Sequence, residues 1–395
     1  MTVRVNKSSF NIREKLSELE KPIGLKGSEL MRSETAQEAR DFVSAGRKNL
    51  IINGAMQVAQ RGTSTSSFGA SSGFGASDRW HHFTIGTTNA LWTVSQDTDA
   101  PDGYRYSLKY DCTTADASPA GSARHQFQQK IEAYNTNHLG YGTSVAKDLV
   151  LSFWVKATLP GVNYGWFYDN PNDVFFPFRY YINSSNTWEK KVITIPGNTA
   201  NTLSGTNGTS LICAFALYMG SNYTANAYDN PGVWQAWNST NYGKFKDSTN
   251  HASSTNNNFW ITGIQLEVGK NATEFEHRSY GEELALCQRY YYKFRCANQE
   301  WIYNEGNGAT NKWHQIYIGH PMRANPSVDA TDLTTGGSVT GMSGVTISSI
   351  SPSTPGDTPG RISSRVIMSG ASGSAYNLHH TDSWNSDYIA LSSEL

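Results

Sequence analysis

Carboxylates are scarce in this chain, and they bunch in two places. DTDAPDG carries Asp97, Asp99 and Asp102, and DNPND carries Asp169 and Asp173. Clustered hard oxygen donors of this kind could hold a calcium ion. Both runs also combine Pro with Gly or Asn, which favours turns, and DTDAPDG is out of register with an EF-hand loop. Other chemical signatures fail. GASSG (69–73) matches GxSxG, but a nucleophile elbow needs a strand before it and a helix after it. Here both flanks are loop-like, STSSFGASSGFGAS. His81–His82 and His379–His380 are adjacent pairs. On a strand, neighbours point to opposite sides, which argues against joint metal ligation. There is no HExxH, P-loop or Rossmann glycine pattern. Glycoside hydrolysis needs two carboxylates about 5–10 Å apart across a cleft, and nothing in the sequence pairs them. The expectation is therefore no catalytic residue, no enzyme activity and no cofactor, with calcium at either Asp cluster as the lesser reading.

What stands out is aromatic density beside amides and hydroxyls. NYGWFYDNPNDVFFPFRYY (163–181) places Trp166 and Tyr168 in what reads as a loop. SNYTANAYDNPGVWQAWNSTNYGKF (221–245) adds Tyr223, Tyr228, Trp234, Trp237 and Tyr242. A flat ring offers a sugar an apolar face, and Asn, Asp and Gln orient its hydroxyls. These seven residues are the candidate glycan platform. The competing reading for any one of them is core packing.

The elements that must position them follow from composition and rhythm. Of 395 residues, 16% are charged and 12% aromatic, with 35 Gly, 21 Tyr and 11 Trp. Aromatic and β-branched runs cut by Gly, Asn and Ser read as mainly β. Alternation places strands at 104–110, 149–157 and 259–268, and others near 50–53, 80–85, 91–96, 125–131, 175–182, 188–195, 211–219 and 274–278. In the third, Trp260, Ile264, Leu266 and Val268 are expected on one face. Residues 49–280 are read as an antiparallel jelly-roll β-sandwich. GEELALCQR (281–289) reads as helical and YYYKF as a strand. Residues 281–395 are read as a smaller C-terminal β domain.

Residues 1–48 differ in kind. They hold 10 of the 32 Lys and Arg and 7 of the 33 Asp and Glu. Ile12, Leu16, Leu19 and Ile23 form a short helical seam, and Phe42 sits on the apolar side of a second short helix. Two such helices cannot bury a core of their own, so they should pack on a partner. Net charge is −1 and pI about 6.8. That gives no basic field for nucleic acid and no polybasic run for a membrane. No signal peptide and no membrane-spanning run is visible. Four cysteines without CxxC spacing read as free buried thiols.

Several motifs occur together in order: NLIINGAMQVAQRGTS, DRW (78–80), YSLKYDCTTADAS (106–118), LSFWVKA (151–157), NTWEKKVITIPG (186–197), ITGIQLEVG (261–269) and ELALCQRYY (284–291). Together they resemble the tail-fibre-type proteins of tailed bacteriophages. VRVNKSSFNIREKLSEL resembles the N-terminal segments of marine cyanophage structural proteins. The resemblance covers most of the chain to about residue 295. It implies a virion surface appendage made in the host cytoplasm, usually a homotrimer, with a carbohydrate-binding-module-like jelly roll. Residues 1–48 would join other tail, neck or capsid proteins, and the remainder would meet host-surface polysaccharide during adsorption. A structural neck, collar or capsid-decorating fibre is the first alternative, and a polysaccharide depolymerase the second. The resemblance supplies no catalytic residue.

Overall fold

Two asparagines explain why the chain changes character at residue 49. The Asn49 side chain donates to Ile264 O and accepts from the amides of Leu266 and Ile51. Asn53, at φ 58°, donates to Val58 O, Ser77 Oγ and Asp78 O and accepts from the Val58 amide. Each fully buried amide thus replaces backbone partners that a non-repetitive segment would otherwise leave unmade. Directly after Asn53, Gly54 passes so close to the sandwich that a Cβ would lie 2.1 Å from Ile264 O. Residues 50–53, expected as a strand, consequently carry none, and 51–53 are bends.

In this computed structural model the described residues are 49–86, 88–203, 205–225, 232–237, 245–295, 302–304, 311–317, 322–324, 327–329, 346–352, 361–369 and 388–395. The helices expected within 1–48, with Ile12, Leu16, Leu19, Ile23 and Phe42, lie outside them. Residues 49–395 form one compact unit.

The protein is mainly β. The strands of the sandwich are Ser64–Phe68 (β1), Gly73–Phe74 (β2), His81–Ile85 (β3), Leu91–Asp97 (β4), Ser107–Thr114 (β5), Arg124–Glu132 (β6), Leu149–Ala157 (β7), Gly161–Asp169 (β8), Val174–Ile182 (β9), Glu189–Ile195 (β10), Thr209–Met219 (β11), Gln235–Ala236 (β12) and Asn258–Val268 (β13). One sheet has the order β1-β4-β5-β13-β7-β10, and the other β12-β9-β8-β11-β6-β3-β2. All these pairings are antiparallel. The chain passes back and forth between the sheets, which makes the jelly roll expected from the alternating pattern.

Apolar side chains from both inner faces fill the space between the sheets. Phe127 of β6 stacks on Phe215 of β11, with centroids 5.1 Å apart and planes at 13°. Phe153 of β7 meets Phe215 edge-on at 5.1 Å. Aromatic pairs of this geometry contribute about 0.5–1.5 kcal/mol beyond their buried area. Leu108 and Tyr110 belong to this core, whereas Tyr104 and Tyr106 precede the strand and stay half-buried. Cys112, Cys213 and Cys287 are buried free thiols.

The face expected for 259–268 needs correction. The pairing of β13 with β7 shifts register between Thr262 and Gln265. Gly263, at φ 62°, absorbs the extra residue. Across a bulge the alternation resets. Ile264 and Leu266 therefore face the core, while Trp260 lies on the opposite face beside Lys109 and Lys156.

After the sandwich come one helix and a set of shorter sheets. Ser221–Thr224 (α1) is a single turn within the segment after β11. Tyr280–Gln288 (α2) is capped by Ser279, whose side chain accepts from the Glu282 amide. Helix α2 packs Cys287 and Leu284 against Ile52 and Val58. Residues 274–278, expected as a strand, carry none. Tyr291–Arg295 (β14), Ile302–Asn304 (β15), Asn311–Tyr317 (β16), Ser327–Asp329 (β17), Thr346–Pro352 (β18), Arg361–Ser369 (β19) and Tyr388–Ser392 (β20) form two sheets, β14-β20-β17 and β15-β16-β19-β18. The segment around β14 and β20 is tied to the sandwich by charge. Arg289 grips Glu132 of β6 through two hydrogen bonds, at 2.9 and 2.6 Å. Glu394 pairs with Arg79 and Arg61, and those guanidiniums lie 3.5 Å from the ring centroids of Tyr290 and Tyr291, respectively. Burial raises the Glu132 carboxyl, but hydrogen bonds from Arg289 and Tyr290 outweigh it and leave the group below the usual range.

Candidate functional site

The aromatic stretch 163–181 is a hairpin of β8 and β9: 175–182 was expected as a strand, whereas Trp166 and Tyr168 were expected in a loop. Aromatic and β-branched residues fit a pleated, half-buried surface better than a loop. DNPND supplies the tip, with Asp173 at φ 55°. Alternation then splits the rings. Phe167, Phe176, Phe178 and Tyr180 enter the inter-sheet core, and Tyr164, Trp166 and Phe175 stand on the outer face of the sheet.

The chain between β11 and β13 folds back over that outer face. Strand β12 pairs with β9, and the Phe245 amide bonds to Tyr223 O. Tyr223, Trp237 and Phe245 thereby meet Tyr164, Trp166, Phe175, Ala214 and Ala216 in a second apolar cluster. Trp237 is half-buried and meets Tyr168 edge-on at 5.8 Å. Arg124 of β6 closes one side. Its guanidinium carbon lies 5.4, 5.1 and 5.6 Å from the ring centroids of Trp166, Tyr223 and Trp237. Cation–π contact of this kind holds sheet and covering segment together.

This arrangement revises the candidate platform. Trp166 and Tyr223 are only 3% and 5% exposed, so they are foundation rather than contact surface. Tyr168 and Trp237 remain partly open. Tyr168 donates its hydroxyl to Asp173 Oδ1 at 2.5 Å, on the exposed side. Trp234 is not part of the group. Its indole donates to Pro196 O, and its ring packs on Tyr141 and Phe176 at the edge of the main core. Tyr228 and Tyr242 lie outside the described residues.

Beside the aromatic cluster runs a polar row that the sequence reading missed. Register pairs Trp166 with Ala214, Ala214 with Gln128, Gln128 with His81, and His81 with Phe74. Five adjacent strands thus present an indole, a methyl floor, an amide, an imidazole and a phenyl ring in line. Gln126, one step along β6, donates to Gln128 Oε1 at 2.6 Å. Gln126 is 2% exposed, and its Oε1 has no protein partner. Nδ1 of His81 is likewise buried without one. Burial, then the charges of Lys130 and Arg61, push His81 down to about 4, so it is a neutral imidazole at physiological pH. RHQFQQK on β6 was the available signal: alternate polar residues on a strand whose other face is core.

The acidic clusters are engaged elsewhere. Asp97 accepts from the Trp260 indole, and Asp99 from the Trp188 indole and Lys156. Asp169 accepts from Asn172 at 2.9 and 3.0 Å. Burial raises it to about 6. Asp102 is an exposed turn residue. Among the described residues no group of three or more His, Cys, Asp or Glu could hold a metal. GASSG lies between β1 and β2 with no helix following. His81 and His82 point to opposite faces of β3, one into the outer row and the other into the core. Among the described residues no helix is long and apolar enough to cross a membrane.

No protein-family model matches the chain, and no curated protein does. Among solved structures it is similar to the enzymatically active domain of bacteriophage CBA120 tailspike protein 4, at 14% identity and TM-score 0.28 over 56% of this chain. The match spans only 21% of that tailspike chain. It is also similar to the family 11 carbohydrate-binding module of the cellulase Lic26A-Cel5E of Clostridium thermocellum, at 10% identity over 50% of this chain and 91% of that one, TM-score 0.26. A third is TmCBM61 in complex with β-1,4-galactotriose, at 10% identity over 56% of this chain and 100% of that one, TM-score 0.25. Likeness at this level leaves function to be argued from the chain's own side chains.

Proposed function

We propose that this chain is a non-enzymatic glycan-binding fibre of a phage virion, which engages host-surface polysaccharide through the outer face of the β12-to-β2 sheet. The observation that carries this reading is the pairing of a partly open aromatic edge, Tyr168 and Trp237, with the exposed carboxylate of Asp173 at the hairpin tip. A pyranose needs both: a ring to lie against and acceptors for its hydroxyls. The buried rings beneath Trp237 fix its position, so little side-chain freedom is lost on binding. Residues 1–48 attach the fibre to other virion proteins, and the assembled form is a homotrimer. A single weak site of roughly millimolar affinity then becomes effective through simultaneous engagement.

The test is retention of the purified full-length chain on an array of bacterial oligosaccharides, followed by competition with intact virions for host cells. Selective retention that is lost in Trp237→Ala, together with blocked adsorption, supports the reading. A folded, oligomeric protein that retains no glycan and blocks no adsorption overturns it in favour of a structural role on the particle. Release of reducing ends from a retained polysaccharide overturns the non-enzymatic part.

A further inference from the structure

The inter-sheet core contains imidazoles that the outer-face site does not use. His82, His125 and His251 are each 0% exposed. His82, on β3, is faced by Phe68 of β1 and by Tyr110 of β5, whose hydroxyl lies 2.8 Å from His82 Nδ1. His125, on β6, is paired in register with Thr84 of β3 and Tyr218 of β11. Trp92 of β4 meets it edge-on from the opposing sheet at 5.8 Å. Neither nitrogen of His125 has a protein partner, nor does His82 Nε2. Thr84 Oγ1 and Trp92 Nε1, which line the same space, also have none. His251 touches Asn163 Oδ1 through Nε2 at 2.7 Å and packs on Phe259.

The surroundings offer no counter-charge. The titratable groups facing this pair are the two imidazoles themselves, the phenols of Tyr110 and Tyr218, and the Cys112 thiol, which sits opposite Trp92 in the β4–β5 register. Asp116 acts on Tyr218, and His81 on His82 from the neighbouring position. A single protonated imidazole there is desolvated, two on adjacent strands repel each other as well, and no carboxylate stands against them to compensate.

We propose that the His82–His125 pair makes this β-sandwich an acid-opened structure, closed while both rings are neutral and driven apart when protons can be gained only by exposing them. Burial holds His125 down to about 3 and His251 to about 4, and it holds His82 well below its ordinary value. The unfolded chain has ordinary imidazoles near 6.5. The folded values are depressed, so the open form binds more protons below pH 6.5. Stability is fully present above that value and is lost as pH falls toward the folded values.

The experiment is thermal and urea unfolding of the full-length chain between pH 4.5 and 7.5, for the parent and for His125→Phe. The parent midpoint is expected to fall steadily below pH 6.5. His125→Phe keeps the edge contacts to Trp92 and Tyr218, and proton uptake on unfolding should drop by about one. Unchanged uptake overturns the proposal. A second measurement decides the matter even if that variant does not fold. The imidazole C–H resonances of His82 and His125 in the parent should stay at neutral-form positions down to pH 4.5. Titration near 6.5 in the folded chain overturns it.

Discussion

Trp237 meets Phe175 edge to face, with ring centroids 4.7 Å apart and planes at 83°. One ring comes from the segment that covers the outer face and the other from the sheet beneath. The contact fixes the one half-open indole of the cluster against a buried neighbour, and so sets which edge of it a ligand can reach.

Removing that indole should therefore cost binding more than folding. Trp237→Ala and Tyr168→Ala are expected to weaken retention of the bound oligosaccharide by about tenfold or more, or roughly 1.4 kcal/mol each. Tyr168→Phe keeps the ring and loses only the hydroxyl given to Asp173, so it should stay within a few-fold of the parent. Calorimetry on the three variants checks the order. A Phe variant as weak as the Ala variant would mean the hydroxyl, not the ring, carries the contact.

Gln126 separates binding from stability. Its Oε1 is buried without a protein partner, a condition that costs the fold on the order of 1–3 kcal/mol. Gln126→Leu has a similar volume and removes that group. The melting temperature should hold or rise while glycan retention stays within a few-fold of the parent. A lower melting temperature would make Gln126 a structural residue through its bond to Gln128.

Gly263 is fixed by two constraints at once. Its φ is +62°, and a Cβ there would stand 2.7 Å from the Tyr104 ring. Gly263→Ala should destabilise the chain by about 1–3 kcal/mol, read as a lower urea midpoint at unchanged m-value. Trimming Tyr104 to Ala in the same chain should recover the steric part only, because the backbone strain remains.

Asp169 has the opposite pH sign to the core histidines. Burial raises its folded value to about 6, so the folded chain binds its proton more tightly than the unfolded one. Its ionised form is a cost at neutral pH that disappears as pH falls from 6 toward 4. Asp169→Asn should thus be more stable than the parent at pH 7, on the order of 1 kcal/mol. The difference should close by pH 4, and paired melting curves at the two pH values would show whether it does.

Period-two alternation was enough to find most of the sandwich strands, because each has one face in a continuous apolar core. It failed where geometry departs from simple pleating. Trp260 was assigned to the wrong face because a single glycine resets the alternation in mid-strand. Residues 50–53 read as a strand because their apolar side chains are buried, yet beyond the Leu50 amide their backbone is satisfied by the side chains of Asn49, Gln129, Arg278 and Glu283. The strand of 175–182 was legible, but its partner β8 was hidden by its own aromatic richness, since both of its faces are apolar. Of the aromatic candidates, Trp166, Tyr168, Tyr223 and Trp237 converge, but which of them stay open depends on a covering segment that no local pattern announces. The polar row of Gln126, Gln128 and His81 exists only through register across strands distant in sequence.

Strands β14 and β20 are antiparallel neighbours, with Arg295 opposite Tyr388. Between them residues 322–329 return to the same place: β17 pairs with β20, and Arg323 donates to Asn207 O and Ser393 O. Closing a longer excursion costs little more than closing a shorter one, about 0.6 kcal/mol per doubling. Changes in the length of the stretches 296–321 and 330–387 should therefore cost the sandwich little in closure entropy, because both excursions close on one short sheet, β14-β20-β17.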